Sequence, residues 1–515
     1  MTVTDTAISS PGARRALATL SGILFLTFLD TTIMSVALLN LQETLHSTVS
    51  EMQWIVNAYA LMFASLMLAF GSLGDRLGRK RVMLGGVVVF IAGSLLGALA
   101  PNTATLIAAR GIMGIGAAAC EPGTLSILRH LYPDRAARAR ALGAWAAIAG
   151  LALAMGPVIG GILVGLSGWP AIFWFNVAAG VLALVAAQRT VPESSDPEKG
   201  RFDFAGFILG PTALATIVFA IIVGETAGYV SAPVLALFAI GAAAGGLFVF
   251  VEHRSQAPML NVDYFKKPAF SGSLFVAFAA YFGVFSIFFL TALYLQIVIG
   301  YTALRIATLF VPMALAMIIA SAFAGAWVAR SGPRLPVAVG CFAAGVGVLF
   351  TELALAGEVT FTPLILSLTL TGAGFGIAVV PITSVALSVI PARHSGMAAS
   401  ATTTSREVGT VIGVAALGSL FNTRLIDFLT ERLIQLEVPP EFRDIVIDAV
   451  LTGQFSTGAE EAERIYGPIV AKVVDAAYDA VRSGVSFALL VAGCVILLSG
   501  LVAWLTFSPR RLELE

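Results

Sequence analysis

Residues Gly71 to Lys80 read GSLGDRLGRK, and residues Gly325 to Arg334, 254 positions later, read GAWVARSGPR. In each copy a glycine is followed five positions on by an arginine, then by a Gly-containing turn and further Arg or Lys. Both copies sit between long apolar runs. Asp75 of the first copy is replaced by Ala329 in the second. A membrane chain that repeats a basic helix-to-helix turn is built as two related bundles, the architecture of carriers that rock around a central site.

Composition supports a lipid setting. Apolar residues make up 58% of the 515 positions and charged residues 12%, the latter about half the usual share in soluble domains. That much hydrocarbon requires the bilayer as solvent. The formal net charge of +0 gives no reason to expect nucleic acid as a partner. Cys120, Cys341 and Cys494 fall in apolar segments without ligand spacing, and His46, His130, His253 and His394 are scattered over loops. No metal site and no cofactor is therefore expected. The chain lacks a Gly-x-x-x-x-Gly-Lys-Ser/Thr loop, which excludes ATP hydrolysis within it, and it lacks His-Glu-x-x-His and Gly-x-Ser-x-Gly patterns, so no enzyme is expected. Arg14 and Arg15 precede an apolar run that is too long for a cleaved signal, so that run is expected to stay as the first membrane helix.

Runs of about twenty apolar residues occur fourteen times, near 17–40, 52–71, 82–100, 104–128, 140–164, 169–188, 204–224, 231–251, 270–297, 305–328, 335–356, 361–388, 397–423 and 484–507. An even number puts both termini on one side. Arg14, Arg15, the Arg76–Arg81 cluster, Arg129 to Arg140, Arg189 to Arg201, Arg254 to Lys267, Arg330, Arg334, Arg393, Arg510 and Arg511 share one face, and the short loops of the other hold Arg305. The bias predicts cytoplasmic termini in an inner membrane. The insertion 424–483, with six basic and eleven acidic residues, is long enough to cross regardless of charge. Its amphipathic helical spacing predicts a short helical cap over the outer mouth or a tether. The repeat offset divides the chain into a six-helix bundle over 1–188, two inserted helices with linkers over 189–267, and a second six-helix bundle over 268–515.

Several motifs together resemble one family. LDTTIMSVAL (Leu29 to Leu38) is followed by QWIVNAYAL (Gln53 to Leu61), GSLGDRLGRK, ARGIMGIGAA (Ala109 to Ala118), GPVIGG (Gly156 to Gly161) and IFWFNV (Ile172 to Val177). YLQIVIGYT (Tyr294 to Thr302) and SREVGTVIG (Ser405 to Gly413) come later. The set is similar to the fourteen-helix drug:proton antiporters of the major facilitator superfamily, the EmrB/QacA type, over essentially the whole chain. The resemblance implies an all-α major facilitator fold of fourteen transmembrane helices, in two six-helix bundles plus two extra helices. It also implies that Gly71, Asp75, Arg76, Gly78 and Arg79 gate the inner face, with a charge lock centred on Asp75, and that the glycine motif marks exporters. The family usually has Gln where Met113 stands, Pro where Leu39 stands and Trp-Arg-Trp where Trp169-Pro170-Ala171 stand.

Membrane carboxylates carry the chemistry. Asp30 lies mid-way along the first run, where a charge costs roughly 2.5–3.5 kcal/mol on insertion scales. Burial favours its protonated form and a nearby arginine its charged form, the balance that lets a site take up and release protons. The alternative is a permanent pair with Arg110 that locks two helices. Glu121 stands eleven residues after Arg110, on the same helix face but about 16 Å away along the axis, so it needs another partner or a proton. The family does not generally place an acid there. Arg406 and Glu407 read as inter-helix bonding; Glu407, where the family has Gln, is alternatively a third titratable site. Gly156 and Gly160, with Pro157 and Gly161, strip one helix face for close packing and add a bend. Phe275, Phe278, Phe282, Phe285 and Phe289 form an aromatic face beside Tyr281, turned to lipid, to a neighbouring helix or to a cavity. Trp54 and Asn57 are placed with Tyr281, Phe282, Phe285 and Phe289 at the cavity wall.

These residues point to a proton-coupled antiporter that exports lipophilic or cationic small molecules by alternating access. Asp30, Glu121, Arg110 and Glu407 would couple protons. The partners are substrate, protons and the bilayer, with a periplasmic adaptor as an open addition. A dedicated exporter of one metabolite (a siderophore, lipid or antibiotic) and a non-transporting sensor on the same scaffold remain alternatives.

Overall fold

The structure, a computed structural model, describes residues 11–47, 49–195, 203–255, 258–301, 303–356, 360–391, 395–451 and 469–508. Every regular element among them is helical: α1 (Pro11–Ile33), α2 (Leu38–Leu45), α3 (Val49–Leu77), α4 (Arg79–Ala98), α5 (Thr103–Leu131), α6 (Arg135–Ser167), α7 (Pro170–Thr190), α8 (Phe204–Ala227), α9 (Ala232–Arg254), α10 (Pro268–Ile297), α11 (Ala303–Ser331), α12 (Arg334–Ala356), α13 (Phe361–Ser388), α14 (Ser395–Gln435), α15 (Pro440–Leu451) and α16 (Ile469–Thr506). Among the described residues, thirteen helices are long and apolar enough to span a bilayer. The fourteenth is α6, bent by 41° between Gly143–Leu153 and Val158–Ser167. Pro157 lies in that break and supplies no N–H to the helical ladder.

The repeat in the sequence is a repeat in packing. α3 lies on α5 as α11 lies on α13; α4 contacts α5 and α7 as α12 contacts α13 and α16; α1 contacts α6 and α7 as α10 contacts α14 and α16. Gly78 and Gly332, one repeat apart, both hold positive φ, +110° and +73°, a backbone that glycine adopts without a Cβ clash. After each turn a basic side chain anchors to the last helix of its own set. Lys80 Nζ donates to the Gln188 carbonyl of α7 at 2.9 Å, and Arg334 Nε donates to the Trp504 carbonyl of α16 at 2.7 Å. Close helix crossings repeat too. A Cβ on Gly116 of α5 would lie 2.6 Å from the Gly86 carbonyl of α4, and one on Gly374 of α13 would lie 2.5 Å from the Gly340 carbonyl of α12.

The two sets meet along two seams, α3 against α14 and α6 against α11. α8 lies across the first seam, where Ala64 of α3, Val218 and Ile222 of α8 and Val411 of α14 bury one another. The end of the bundle with the Leu77–Arg79 turn is called the basic end below, and its opposite the far end.

Two expectations are corrected in detail. The first run, predicted over 17–40, breaks after Ile33 into a 3₁₀ turn, Met34–Val36, before α2. Neighbour packing accompanies that break: Cβ atoms on Gly156 and Gly160 would lie 3.0 Å from Ile33 N and 2.8 Å from Ile33 O. The described part of the insertion is helical, as its spacing predicts, but α15 alone is an element of its own there: α14 runs on to Gln435 and α16 already begins at Ile469. No Gly or Pro interrupts 419–438, and Leu425, Leu429 and Leu433 bury with Val438, Val450, Ala476, Ala477 and Ala480. Residues 452–468 of the insertion lie outside the described residues.

Gly116→Val drives a side chain into the α4 backbone, because a Cβ there lies 2.5 Å from Phe90 N. It is expected to lower stability by about 1–3 kcal/mol, read as a drop in unfolding temperature. Gly161→Val, where nothing lies within 4 Å, is the control and should change stability by less than about 0.5 kcal/mol.

Candidate proton and substrate site

Two buried ion pairs occupy the bundle interior, and α5 contributes one member to each. Asp30 of α1 and Arg110 of α5 are both fully buried. Arg110 Nη1 donates to Asp30 Oδ2 in a close ion pair, and Asn176 Nδ2 of α7 donates to Asp30 Oδ1 at 2.7 Å. Arg110 Nε donates to the Ile55 carbonyl of α3 at 2.9 Å. The Arg110 guanidinium lies 4.5 Å over the Tyr59 ring, and Tyr59 OH donates to the Thr27 carbonyl at 2.9 Å. The Asp30–Arg110 pair thereby ties α1, α3, α5 and α7 together.

The second pair joins the two helix sets. Arg406 Nη2 of α14 donates to Glu121 Oε1 of α5 at 3.2 Å, across 285 positions of sequence. The same nitrogen donates to Thr403 Oγ1 at 3.1 Å, and Nη1 donates to Tyr281 OH of α10 at 3.4 Å. The guanidinium lies 5.5 Å from the Trp145 ring of α6 and 5.4 Å from the Tyr281 ring. Trp145 Nε1 donates to Thr124 Oγ1 at 3.2 Å, and Thr124 Oγ1 donates to the Glu121 carbonyl at 2.7 Å. Glu407, also buried, acts electrostatically on Glu121 and on Tyr59, which stacks on Arg110. The five charged groups are buried in the bundle interior as two ion pairs and Glu407, coupled through space.

A cavity of about 10 Å³ adjoins Arg406, lined by Trp145, Gly150, Tyr281, Met317 and Phe375 among others, room for roughly one water. Met317 of α11 fills the notch at Gly150 of α6, where a Cβ would lie 1.4 Å from Met317 Cε. Nearer the basic end, Ser400 of α14 packs on Gly71 of α3, its Cβ 3.0 Å from where a Gly71 Cβ would stand. Both seams are thus tightly closed at these points.

The candidate cavity residues separate. Tyr281 lines the cavity, whereas Phe282 packs with Phe278 at 5.9 Å, beside Gly409 and Gly413 of α14. Phe289 is 43% exposed on the bundle surface. The side chain of Phe285 lies outside the described set. Trp54 faces α8 through Phe219 at 5.2 Å, and Asn57 is half-buried on α3. Sequence reading did not select Trp145, Met317, Phe375 or Asn176. A lone Trp in the Ala-rich stretch 136–149 and the Asn within IFWFNV were the available signals.

At the basic end, Arg79 Nε donates to Asp75 Oδ1 at 2.8 Å. Glu193, after α7, receives the turn: it accepts from Lys80 N at 3.0 Å and lies 3.7 Å from Arg81 Nε. Arg79 N also donates to the Ser194 carbonyl at 2.9 Å. Arg76 is half-buried on the last turn of α3. A Cβ on Gly78 would stand 2.8 Å from the Glu193 carboxylate, so bare backbone is required there twice over. Gly156 and Gly160 of α6 accept the broken end of α1, and Gly161 faces open space.

Arg406→Met strands the Glu121 charge in the interior and should destabilise the fold by about 3–5 kcal/mol. Arg406→Met with Glu121→Leu removes both charges and should recover most of that loss. Thermal unfolding of the single and double variants in lipid nanodiscs measures the difference.

With the geometry in place, comparison with known proteins fixes the family. The model of the Major Facilitator Superfamily matches residues 20–414. The chain is 33% identical over 428 residues to "Multidrug resistance protein Stp" of Mycobacterium tuberculosis, covering 83% of this chain and 79% of that one. It is 32% identical over 522 residues to "Drug efflux pump JefA" of the same species, covering 96% and 97%. Among solved structures, a bacterial homolog of the human lysosomal transporter Spinster superposes with a TM-score of 0.63 at 18% identity, covering 97% of this chain and 100% of that one. The chain is therefore a multi-pass integral membrane protein and belongs to the Major Facilitator Superfamily.

Proposed function

We propose that the chain is a proton-coupled antiporter that exports lipophilic or cationic small molecules by alternating access, with units 1–188 and 268–515 rocking about the central network. The basic end then faces the cytoplasm of an inner membrane, in keeping with the Lys/Arg bias. The proposal is supported by the names of the relatives and, above all, by one count of charge. Asp30, Glu121 and Glu407 face Arg110 and Arg406 in one buried network, which leaves a single negative charge unmatched. At an effective dielectric of about 20, two charges 4 Å apart interact by about 4 kcal/mol. The interior therefore strongly favours whichever positive charge completes it.

A proton and a monovalent substrate cation compete for that one place. A proton reaching Glu121 cancels its attraction for Arg406 and loosens the tie between the two sets, so the basic end opens. A cation that binds from the basic end and releases the proton restores the Glu121–Arg406 pair, and the basic end closes around its load. Exchange follows because the network is neutral with either ligand and not with both. Asp75 and Arg79 stiffen the α3–α4 turn that moves with the first set. The Asp30–Arg110–Asn176 cluster, whose helices all belong to the first set, sets the field at the centre.

Glu121→Gln should lose pH-driven efflux of a cationic dye from everted vesicles by at least about tenfold, and dye-for-dye exchange with it, because the network is then neutral without a ligand. Asp30→Asn should also lose pH-driven efflux and remain folded in the membrane; undiminished proton-driven transport removes the altered residue from coupling. One-for-one exchange moves no net charge. A monovalent dye should therefore follow a pH gradient and ignore an imposed membrane potential, which would otherwise supply about 2.3 kcal/mol per charge per 100 mV. Potential-driven efflux without a pH gradient contradicts the charge count.

A further inference from the structure

A second group of buried carboxyls lies away from the central network, at the basic end of the inserted pair α8–α9. Asp203 caps α8, its Oδ1 accepting from Gly206 N at 2.7 Å. Glu252, on the last turn of α9, is 2% exposed, and its Oε2 accepts from Leu260 N at 3.2 Å. The remaining oxygens, Asp203 Oδ2 and Glu252 Oε1, are buried and receive no hydrogen bond from any described donor. They converge: a Cβ on Gly206 would lie 2.5 Å from Glu252 Oε1 and 2.8 Å from Asp203 Oδ2. The two carboxyls are within hydrogen-bonding reach of each other.

Among the described residues, neighbouring charges do not complete the pair. Asp203 is the charged group that acts on Glu252 among the described residues. On α9 itself, Arg254 stacks over Phe250 at 4.3 Å, and His253 lies on the same last turn. On the 3₁₀ turn Val262–Lys266, Asp263 pairs with Lys266 at 2.6 Å. Lys267 Nζ donates to the Val389 carbonyl at the end of α13 at 2.9 Å. Two carboxylates facing each other without a cation repel, and one proton between them turns the repulsion into a strong hydrogen bond.

The position of the pair gives that proton leverage. The linker held by Glu252 through Leu260 N is the one that enters the second helix set. Met259 and Leu260 are buried beside α8 and α9, Asn261 N contacts Met397 Sδ of α14 at 3.2 Å, and Lys267 grips α13. α8 itself spans the α3–α14 seam. We propose that Asp203 and Glu252 are a second proton-binding site, in which one shared proton fastens the α8–α9 foot to linker 258–267. At low pH the shared proton is present and the linker is held. As pH rises the proton leaves to water, the two carboxylates repel, and Leu260 N loses its acceptor. The seam cover is then freed from the second set, so cytoplasmic alkalinity loosens it.

Hydrogen exchange of the full chain in nanodiscs, corrected for the intrinsic pH dependence of exchange, tests this on peptides spanning 258–267 between about pH 5 and about pH 9. The wild type should lose protection by at least about tenfold as pH rises. Asp203→Asn keeps the helix cap, since Asn caps as well as Asp, and donates a neutral hydrogen bond to Glu252. It should hold the linker across the range. Glu252→Gln provides the same test from the other side if Asp203→Asn does not fold. Glu121→Gln should keep the pH-dependent step in protection even if its baseline shifts, which separates this site from central coupling. A flat wild-type profile, unchanged profiles in both carboxyl variants, or protection that follows sodium or calcium at fixed pH overturns the proposal.

Discussion

A charge buried in hydrocarbon must be matched within the protein, and that constraint organises this molecule. α5 carries Arg110 and Glu121 on one face and cannot pair them with each other. Each is therefore satisfied by a different helix. Arg110 turns to Asp30 within its own set, and Glu121 turns to Arg406 in the other. The first pair is a brace and the second is a bridge. Replacing a buried ion pair with apolar residues is often neutral for stability, whereas removing one partner is not. A bridge of this kind is thus a poor source of stability, and in the proposed mechanism it serves as a switch, because adding one proton removes one partner.

Everything else positions that bridge. Glycine pairs let α4 meet α5 and α12 meet α13 backbone to backbone, so each helix set packs closely through these crossings. The turns at Gly78 and Gly332 anchor each set to its own sixth helix. The seams are lined by small or pliable residues, Gly71 with Ser400 and Gly150 with Met317. In the proposed cycle these seams are the surfaces that separate and re-form, while the sets themselves stay intact. α8, which belongs to neither repeat, closes one seam and leaves the other to α6 and α11 alone.

The spans were legible because lipid imposes length and composition directly on sequence, and the doubled turn exposed the repeat. The α6 bend was legible at Pro157. The break in α1 was not, since residues 33–38 contain neither Gly nor Pro and the neighbouring glycines of α6 pack against the break. Spacing along α5 was enough to exclude an Arg110–Glu121 pair. Nothing local nominated Arg406, 285 residues away, as the partner of Glu121. The aromatic row on α10 left its partners open for the same reason. Helical periodicity places Phe278, Tyr281, Phe282 and Phe289 along adjoining faces, yet tertiary packing sends them to α14, the cavity and the surface. The Asp203–Glu252 pair joins a helix start to a helix end and leaves no periodic trace.

In the proposed cycle, protonation of Glu121 releases the two helix sets at the basic end. Spin labels at Leu77 on α3 and Ser331 on α11, both exposed at that end on opposite sets, report the separation by electron–electron distance measurement in nanodiscs. A short distance at alkaline pH should give way to a longer population on acidification. Glu121→Gln should show the longer population at every pH. One distance distribution, unchanged by acid and by that substitution, would contradict the account.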